Sequence, residues 1–143
     1  RLLLEKDMLE KSVVEGNDNW EAQCMACCHR LKRCVENKSF IEAPDLRKWF
    51  ELFTLFHRAV FRRGASDCLW QFEQQLLLRS RQYEFAVYSR SAAPLPFLMG
   101  QFRFAESLLS ACLEQNVALA WSRHEGGVLR TLELMGSIEE EGV

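Results

Sequence analysis

Long apolar runs, proline and glycine are all scarce in this sequence. No apolar run approaches the roughly 20 residues that a membrane-spanning helix needs, and acidic residues interrupt the first eleven positions, where a secretory signal would keep an apolar stretch. The 143 residues include only three prolines and seven glycines, so helix breakers are few. We therefore expect a helical protein with no membrane partner, located inside the cell in the cytoplasm or the nucleus.

The few breakers divide the chain into segments of helical length. Apolar residues recur with helical periodicity over 2–15, 18–36, about 44–63, about 66–89, 97–121 and 128–135. We predict an all-α fold in which residues 1–143 form a single compact bundle of five to six helices. The alternation of apolar and polar residues near 83–88 leaves a short β segment as an alternative.

One internal stretch and the C-terminal end of the chain are predicted not to be helical, and the N-terminal end bears on whether the chain is complete. We place an internal linker at about 89–96, where two prolines exclude helix from the residues before them. Residues 137–143 are predicted to form a flexible acidic tail. Because the chain begins with arginine, we expect it to be a fragment of a longer protein.

Four of the six cysteines fall within eleven residues, in the stretch CMACCHRLKRC at 24–34. A structural zinc site needs four converging ligands, commonly two short cysteine pairs, and the sequence offers no second pair. On a helix these cysteines share one face with Trp20, Leu31 and Val35, where a reduced thiol behaves as a small hydrophobic group. We therefore predict buried, reduced cysteines, with no metal and no cofactor.

No catalytic motif is recognisable. No serine or cysteine lies on a nucleophile turn, HEGG at 124–127 lacks the second histidine of a zinc-protease helix, and the glycine pair lacks the lysine of a phosphate loop. The clustered cysteines lie one to two turns inside their helix, away from the N-terminal position that activates a redox thiol. We predict no catalytic residues and a protein that is not an enzyme.

Large rings are more numerous than a small bundle needs: ten Phe, four Trp and two Tyr. The segment at 66–89 has two apolar faces, and the second collects large side chains around an arginine, the mixture typical of interface hot spots. We predict that this face binds a partner protein, either an amphipathic helix or a subunit of a parent complex, in a groove between the third and fourth predicted helices. Core packing is the competing interpretation. The residues are Trp70, Leu77, Leu78, Arg81, Phe85 and Tyr88.

Charge is unevenly distributed, although the formal net charge is only −2. Residues 46–103 carry nine Lys or Arg against four Asp or Glu. A basic patch of Arg58, Arg62, Arg63 and Arg79 would attract phosphates. The competing interpretation is that cations near helix C-termini complement the helix dipole.

These observations favour a non-catalytic intracellular protein–protein interaction or scaffold domain. The alternative is a nucleic-acid-associated helical domain that uses the basic middle third, about residues 46–103. An enzyme with an unrecognised site is the third interpretation.

Overall fold

A computed structural model describes residues 1–142. Within these residues the chain forms seven α-helices and one short 3₁₀ turn, without a strand, and none of the helices has the length and apolarity needed to cross a bilayer. The 3₁₀ turn, Arg62–Gly64, follows the fourth helix. The helices are α1 (Leu2–Glu15), α2 (Asp18–Glu36), α3 (Lys38–Glu42), α4 (Leu46–Phe61), α5 (Asp67–Tyr88), α6 (Leu95–Leu113) and α7 (Val117–Glu141).

The all-α prediction is confirmed, but the helices number seven within residues 1–142 rather than five to six. The additional helix, α3, has only five residues. Asn37 ends α2 and its side-chain oxygen accepts the backbone N–H of Phe40 at 3.2 Å, which starts α3 at once. Residues 83–88 form the last turns of α5, so the alternative of a β segment there is wrong.

The predicted boundary between the last two helices is also wrong. The chain reverses where Gln115 adopts a left-handed φ of 56°, and Asn116 then caps α7. α7 continues without a break through the glycine pair to Glu141. A ring edge of Phe104 occupies the space that a side chain at Gly127 would need. Close packing of α6 on α7 therefore outweighs the low helix propensity of glycine.

Two further boundaries differ from the prediction. Residues 137–141, predicted as part of the flexible tail at 137–143, instead form the end of α7, and Ile138 is buried. Val143 lies outside the described residues. The predicted linker at 89–96 is shorter in the structure, because α6 begins at Leu95.

The cysteine-rich face of α2 is buried, as predicted. Cys24, Cys28 and Cys34 lie in the core, and α2 packs against α4 and α6. All six cysteines are free. Burial raises the pKa of Cys28 to about 11 and that of Cys112 to about 12, so these thiols stay protonated and act as packing groups.

A close backbone contact joins α1 to the turn after α4. Ser12 Oγ donates to the carbonyl oxygen of Phe61 at 3.2 Å and accepts the N–H of Gly64 at 2.8 Å. A Cβ atom added at Gly64 would lie 1.9 Å from the carbonyl oxygen of Met8. The absence of a side chain at Gly64 thus sets how closely α1 approaches α4, and with it the position of Glu5 in the interior.

Replacing Gly64 with alanine is expected to lower the free energy of unfolding by about 2 to 3 kcal/mol, because the backbone of α1 must move to admit the methyl group. Gly136→Ala is the matched control. Gly136 lies inside α7 with open space around its Cα, so this change should raise stability by about 0.5 to 1 kcal/mol. Urea denaturation measures both, and an unaffected Gly64→Ala would contradict the described approach of α1.

Candidate functional site

Four buried ionisable side chains from four helices meet in the interior. Glu5 comes from α1, His57 from α4, Glu73 from α5 and His124 from α7. His57 Nε2 lies 2.9 Å from Glu73 Oε1 and 3.4 Å from Glu5 Oε1. His124 Nε2 lies 2.8 Å from Glu5 Oε2. We call these four residues the carboxylate–histidine cluster.

Aromatic rings fix the two imidazoles. His57 stacks on Phe61, with ring centroids 4.3 Å apart, and the same ring contacts His124 at 4.8 Å. Phe104 and Trp121 also lie against His124, at 6.0 and 5.8 Å. Because these rings exclude water, electrostatic interactions inside the cluster are stronger than on the surface.

The cluster carries an excess of negative charge when its imidazoles are neutral. Burial alone raises the pKa of Glu5, but the hydrogen bond with His124, the charge of His57 when it is protonated and the charge of Arg1 hold this pKa well below its usual range. Glu73 Oε1 lies 2.9 Å from His57 Nε2, and Glu73 Oε2 accepts a hydrogen bond from Gln74 Nε2. Burial lowers the pKa of His57 despite the facing carboxylates. Two carboxylates therefore face one permanent cation, Arg1.

Two atoms of the cluster have no hydrogen-bond partner. Glu5 Oε1 lies near Arg1 Nε and His57 Nε2, but neither N–H is aligned with it, and His124 Nδ1 has no polar neighbour within reach. A buried polar atom without a partner costs about 1 to 3 kcal/mol. Arg1 Nε, 2.9 Å from Glu5 Oε1, supplies one cation, and the remaining negative charge favours a further cationic occupant.

Three donor atoms of the cluster lie close enough together to share a metal ion. His57 Nε2 and one oxygen each of Glu5 and Glu73 all lie within 4.8 Å of one another. Tetrahedral ligands at about 2.0 to 2.2 Å from Zn²⁺ lie roughly 3.3 Å apart, compared with 3.4 Å between His57 and Glu5 and 2.9 Å between His57 and Glu73, so the second pair would have to separate slightly to bind an ion. His124, hydrogen-bonded to the other oxygen of Glu5, would orient that carboxylate from outside.

A second buried polar group lies on α5. Arg81 Nη1 donates to both carboxylate oxygens of Glu84 at 2.9 Å. Glu84 also accepts from Gln101 Nε2 at 3.4 Å, and Gln101 Oε1 accepts the indole N–H of Trp49 at 2.8 Å. Arg81 Nε and the hydroxyl of Tyr88 have no partner. The Glu84 carboxylate of this ion pair therefore accepts several hydrogen bonds, whereas the Nε atom of Arg81 lacks a partner.

A cavity of about 390 Å³ brings the two polar groups together. Its wall includes His57 and His124 from the cluster and Arg81 and Glu84 from α5. The volume falls within the range of small-molecule sites, which combine apolar walls with a few convergent polar groups. The apolar part of the wall includes Phe53, Phe56, Phe61, Phe104, Leu108 and Met135.

The six residues predicted to bind a partner do not share one environment. Some belong to the interior, and the guanidinium of Arg81 lies in the buried network just described. An open groove between α4 and α5 is lined by Leu78, Arg81 and Phe85. Leu77, Arg81 and Tyr88 are buried, Trp70 is half-buried, and Leu78 and Phe85 are exposed.

The four arginines of the predicted basic patch all lie on the surface. Arg58 donates to Gln74, Arg62 pairs with Asp67 at 2.6 Å, and Arg63 donates to a backbone carbonyl of α1. Within residues 1–142, Arg79 makes no hydrogen bond or ion pair. Three of the four side chains are thus engaged within the chain.

Sequence reasoning missed the carboxylate–histidine cluster. The available signal was a charged residue on the buried side of a helix: Glu73 and Glu84 separate the two apolar faces of α5, and Glu5 lies one turn before Leu9 on the face that α1 buries. Neither histidine has a ligand at motif spacing, since each comes from a different helix. A sequence pattern within one helix could not show the cluster.

No family model matches the chain, and no solved structure matches it. One curated protein is similar: the HTH-type transcriptional repressor GlaR of Escherichia coli (strain K12), at 24% identity over 123 residues. The similarity covers 84% of this chain but 54% of the repressor, so the chain spans about half the length of the protein that it matches.

The cluster gives stability a pH dependence of definite sign. Because burial lowers the pKa of His57, the unfolded chain takes up a proton more readily than the folded one, so stability should fall as the pH drops below about 6.5. The depressed pKa of Glu5 adds a further loss below about 4.5. Each proton contributes up to about 1.4 kcal/mol per pH unit.

Urea denaturation in chelator at pH 7.5, 6.5, 5.5 and 4.5 measures this dependence. In His57→Gln the loss between pH 6.5 and 5.5 should shrink, whereas His29→Gln, at an exposed histidine, should follow the wild type. Stability that rises between pH 7.5 and 5.5 would mean that the folded state holds the extra proton, contrary to the burial of His57.

Arg81→Met is expected to lower the free energy of unfolding by about 3 to 5 kcal/mol, because it leaves the buried Glu84 carboxylate without its cation. Arg81→Met/Glu84→Met removes both charges and should recover at least half of that loss. Thermal and urea denaturation of the two variants provide the comparison. A double variant no more stable than the single one would show that the pair is not the source of the cost.

Proposed function

We propose that this chain is the small-molecule-sensing part of a transcription regulator. Its cavity would bind the effector, and the carboxylate–histidine cluster would hold a divalent metal ion in the cavity wall. The chain itself would carry out no catalytic step. The observation that carries the proposal is the cavity of about 390 Å³, whose wall holds a buried Arg–Glu pair and two buried histidines.

Polar groups with unpartnered atoms suit a ligand site better than a structural core. A core built for stability alone satisfies its buried polar atoms, whereas Glu5 Oε1, His124 Nδ1 and Arg81 Nε are unsatisfied. A ligand bound nearby would supply the missing hydrogen-bond partners of such atoms. Here they lie in or just behind the wall of one cavity, which supports a binding role for that cavity.

The similarity to a repressor supports the link to transcription. The relative is named for a helix-turn-helix and for repression, and this chain corresponds to about half of its length. A regulator that responds to a signal needs a site for that signal as well as a DNA reader. The cavity of this chain is suited to the first role. A transcription regulator acts on DNA inside the cell, so the proposal agrees with the predicted intracellular location.

Charge indicates which ligands the cavity would take. His57 Nε2 with one oxygen each of Glu5 and Glu73 forms a nitrogen and oxygen donor set, which suits Zn²⁺, Mn²⁺, Co²⁺ or Ni²⁺ rather than a soft ion. A divalent ion would reverse the negative excess of the cluster. The wall would then present the ion and Arg81 among apolar rings, an environment that favours a small organic acid.

Metal binding is the first test. Titration of chelator-treated protein with Zn²⁺ or Co²⁺ should show one ion per chain, a rise in melting temperature, and Co²⁺ absorption without sulfur charge-transfer bands. His57→Gln and Glu73→Gln should each weaken binding at least about tenfold, and His29→Gln should bind as the wild type does. Absence of any saturable binding would remove the metal from the proposal.

A second measurement tests the effector itself. Metal-loaded protein is screened by thermal shift against short mono- and dicarboxylic acids, with their neutral amides as matched controls. A saturable stabilisation by one acid, lost in Glu73→Gln, is the expected result. If no acid or amide stabilises the protein, the cavity is not an effector site of this class.

Direct contact with nucleic acid through the basic patch is the second candidate function, favoured by the same relative. The engagement of Arg58, Arg62 and Arg63 within the chain weighs against it. A salt titration of duplex DNA binding separates the two. Binding that falls steeply with salt and is lost in Arg63→Glu/Arg79→Glu would favour direct contact, and no binding at low salt would favour the sensing role.

A further inference from the structure

A further pocket, of about 600 Å³, lies among the second half of α2, the short helix α3 and the start of α4. None of the residues that line it belongs to the wall of the interior cavity or to the groove between α4 and α5. We call it the basic pocket. Six of its lining residues are polar: Arg30, Arg33, Asn37, Ser39, Asp45 and Lys48.

Three cationic side chains line the basic pocket without a partner. Within residues 1–142, Arg30, Arg33 and Lys48 form no ion pair, and their side chains donate no hydrogen bond. Lys32, on the same helix as the two arginines, is instead paired with Glu36. The pocket therefore holds positive charge that is available to an anion from outside the chain.

The stability of the helices does not account for all of these cations. Arg33 lies in the last turn of α2, where a cation complements the helix dipole. No acid lies three or four positions from Arg30 along α2, whereas Arg33, a like charge, does. Lys48 lies in the first turn of α4, where the positive end of the dipole disfavours a cation. Binding of an anion would account for Arg30 and Lys48.

The other polar groups of the pocket suit hydroxyl groups. Of the described residues, Asp45 alone brings an acid to the pocket, and its Oδ1 accepts the backbone N–H of Lys48 at 3.1 Å, which leaves the second oxygen free. Asn37 Oδ1 accepts the N–H of Phe40, so the amide NH₂ of Asn37 remains available. Ser39 adds a hydroxyl that can donate and accept. The pocket thus offers donors and acceptors beside its cations.

We infer that the basic pocket binds a sugar phosphate. The phosphate dianion pairs with Arg30, Arg33 and Lys48, and the sugar hydroxyls bond with the three remaining polar side chains. The volume of the pocket lies within the range of small-molecule sites. The inference does not rest on the proposed function, because the basic pocket and the interior cavity share no residue.

A small phosphate ester suits the pocket better than a nucleic-acid backbone. The three cations line one concavity, whereas a duplex presents a long row of phosphates. Exposed acids also follow on the same elements: Glu42 ends α3, and Glu51 lies one turn after Lys48 on α4. An extended polyanion would meet these carboxylates, and a single phosphate group in the pocket would not.

Calorimetric titration at low ionic strength tests the inference, because exposed cations are screened by salt. The probes are ribose 5-phosphate, glucose 6-phosphate, inorganic phosphate, ribose and glucose. At least one sugar phosphate should bind saturably, with one molecule per chain. Inorganic phosphate should bind at least about tenfold more weakly, because it lacks the hydroxyl contacts, and the free sugars should not bind.

Variants of the pocket separate its charges. Arg30→Gln and Lys48→Gln should each weaken binding of the sugar phosphate at least about tenfold, because each removes a charge-assisted bond to the phosphate. Asp45→Asn should strengthen binding of inorganic phosphate, because it removes the acid of the pocket, and asparagine caps a helix as well as aspartate does. Arg79→Gln is the matched control, at an exposed arginine of α5 outside the pocket, and should bind as the wild type does.

Circular dichroism verifies that every variant is folded. The inference would be overturned if neither sugar phosphate bound saturably, or if Arg30→Gln and Lys48→Gln bound as the wild type does. It would also be overturned by inorganic phosphate that binds as tightly as the esters, by weaker phosphate binding in Asp45→Asn, or by duplex DNA that displaces the sugar phosphate from this pocket.

The metal titration distinguishes failure of this inference from failure of the proposed function. The pocket variants should keep the metal affinity of the wild type, because none of the substituted residues belongs to the carboxylate–histidine cluster. Protein that binds metal but no sugar phosphate would overturn only the inference about the basic pocket.

Discussion

The hydrogen bond between Glu5 and His124 is the interaction on which the arrangement of this fold depends. It joins the first helix to the last across 119 positions of sequence, in an interior where an unpaired carboxylate would be very costly. His57 and Glu73 extend the contact to α4 and α5. Four helices therefore meet at these four side chains, and the rings of Phe61, Phe104 and Trp121 pack against the histidines.

A polar centre of this kind contributes to the structure in a different way from the apolar core around α2. The cysteines and leucines of α2 could be exchanged for other apolar groups of similar volume with modest effect, because dispersion and burial are not directional. The carboxylate–histidine cluster is more sensitive to single substitutions, because loss of one member leaves its buried partner unpaired. Substitutions are therefore better tolerated in the apolar core around α2 than in the carboxylate–histidine cluster. The cavity lies beside the cluster.

Sequence reasoning reached the fold class and the apolar face of α2 because both depend on local periodicity. It misplaced the end of α6 because Asn116 was not recognised as a cap, and because the glycine pair in α7 was judged by propensity alone, without the ring of Phe104 that packs against Gly127.

The candidate site could not be predicted from the sequence, because local periodicity does not show which helices contact one another. Its members lie on four helices, and only three-dimensional packing brings Glu5, His57, Glu73 and His124 together. The buried sides of α1 and α5 carried the local signal, because the carboxylates of Glu5, Glu73 and Glu84 occupy positions that periodicity assigns to the interior. A charged residue at a core position of a helix is informative because burial of an ion demands a counter-charge.

Among residues 1–142, Arg81 alone lines both the cavity and the groove between α4 and α5. Its guanidinium rests over the ring of Phe53, 4.5 Å from the ring centroid, and is bonded to Glu84. An occupant of the cavity that moved this cation would also change the wall of the groove. Thermodynamic reciprocity then requires that whatever docks outside alters affinity inside by an equal factor, so a single side chain can make the two compartments cooperative.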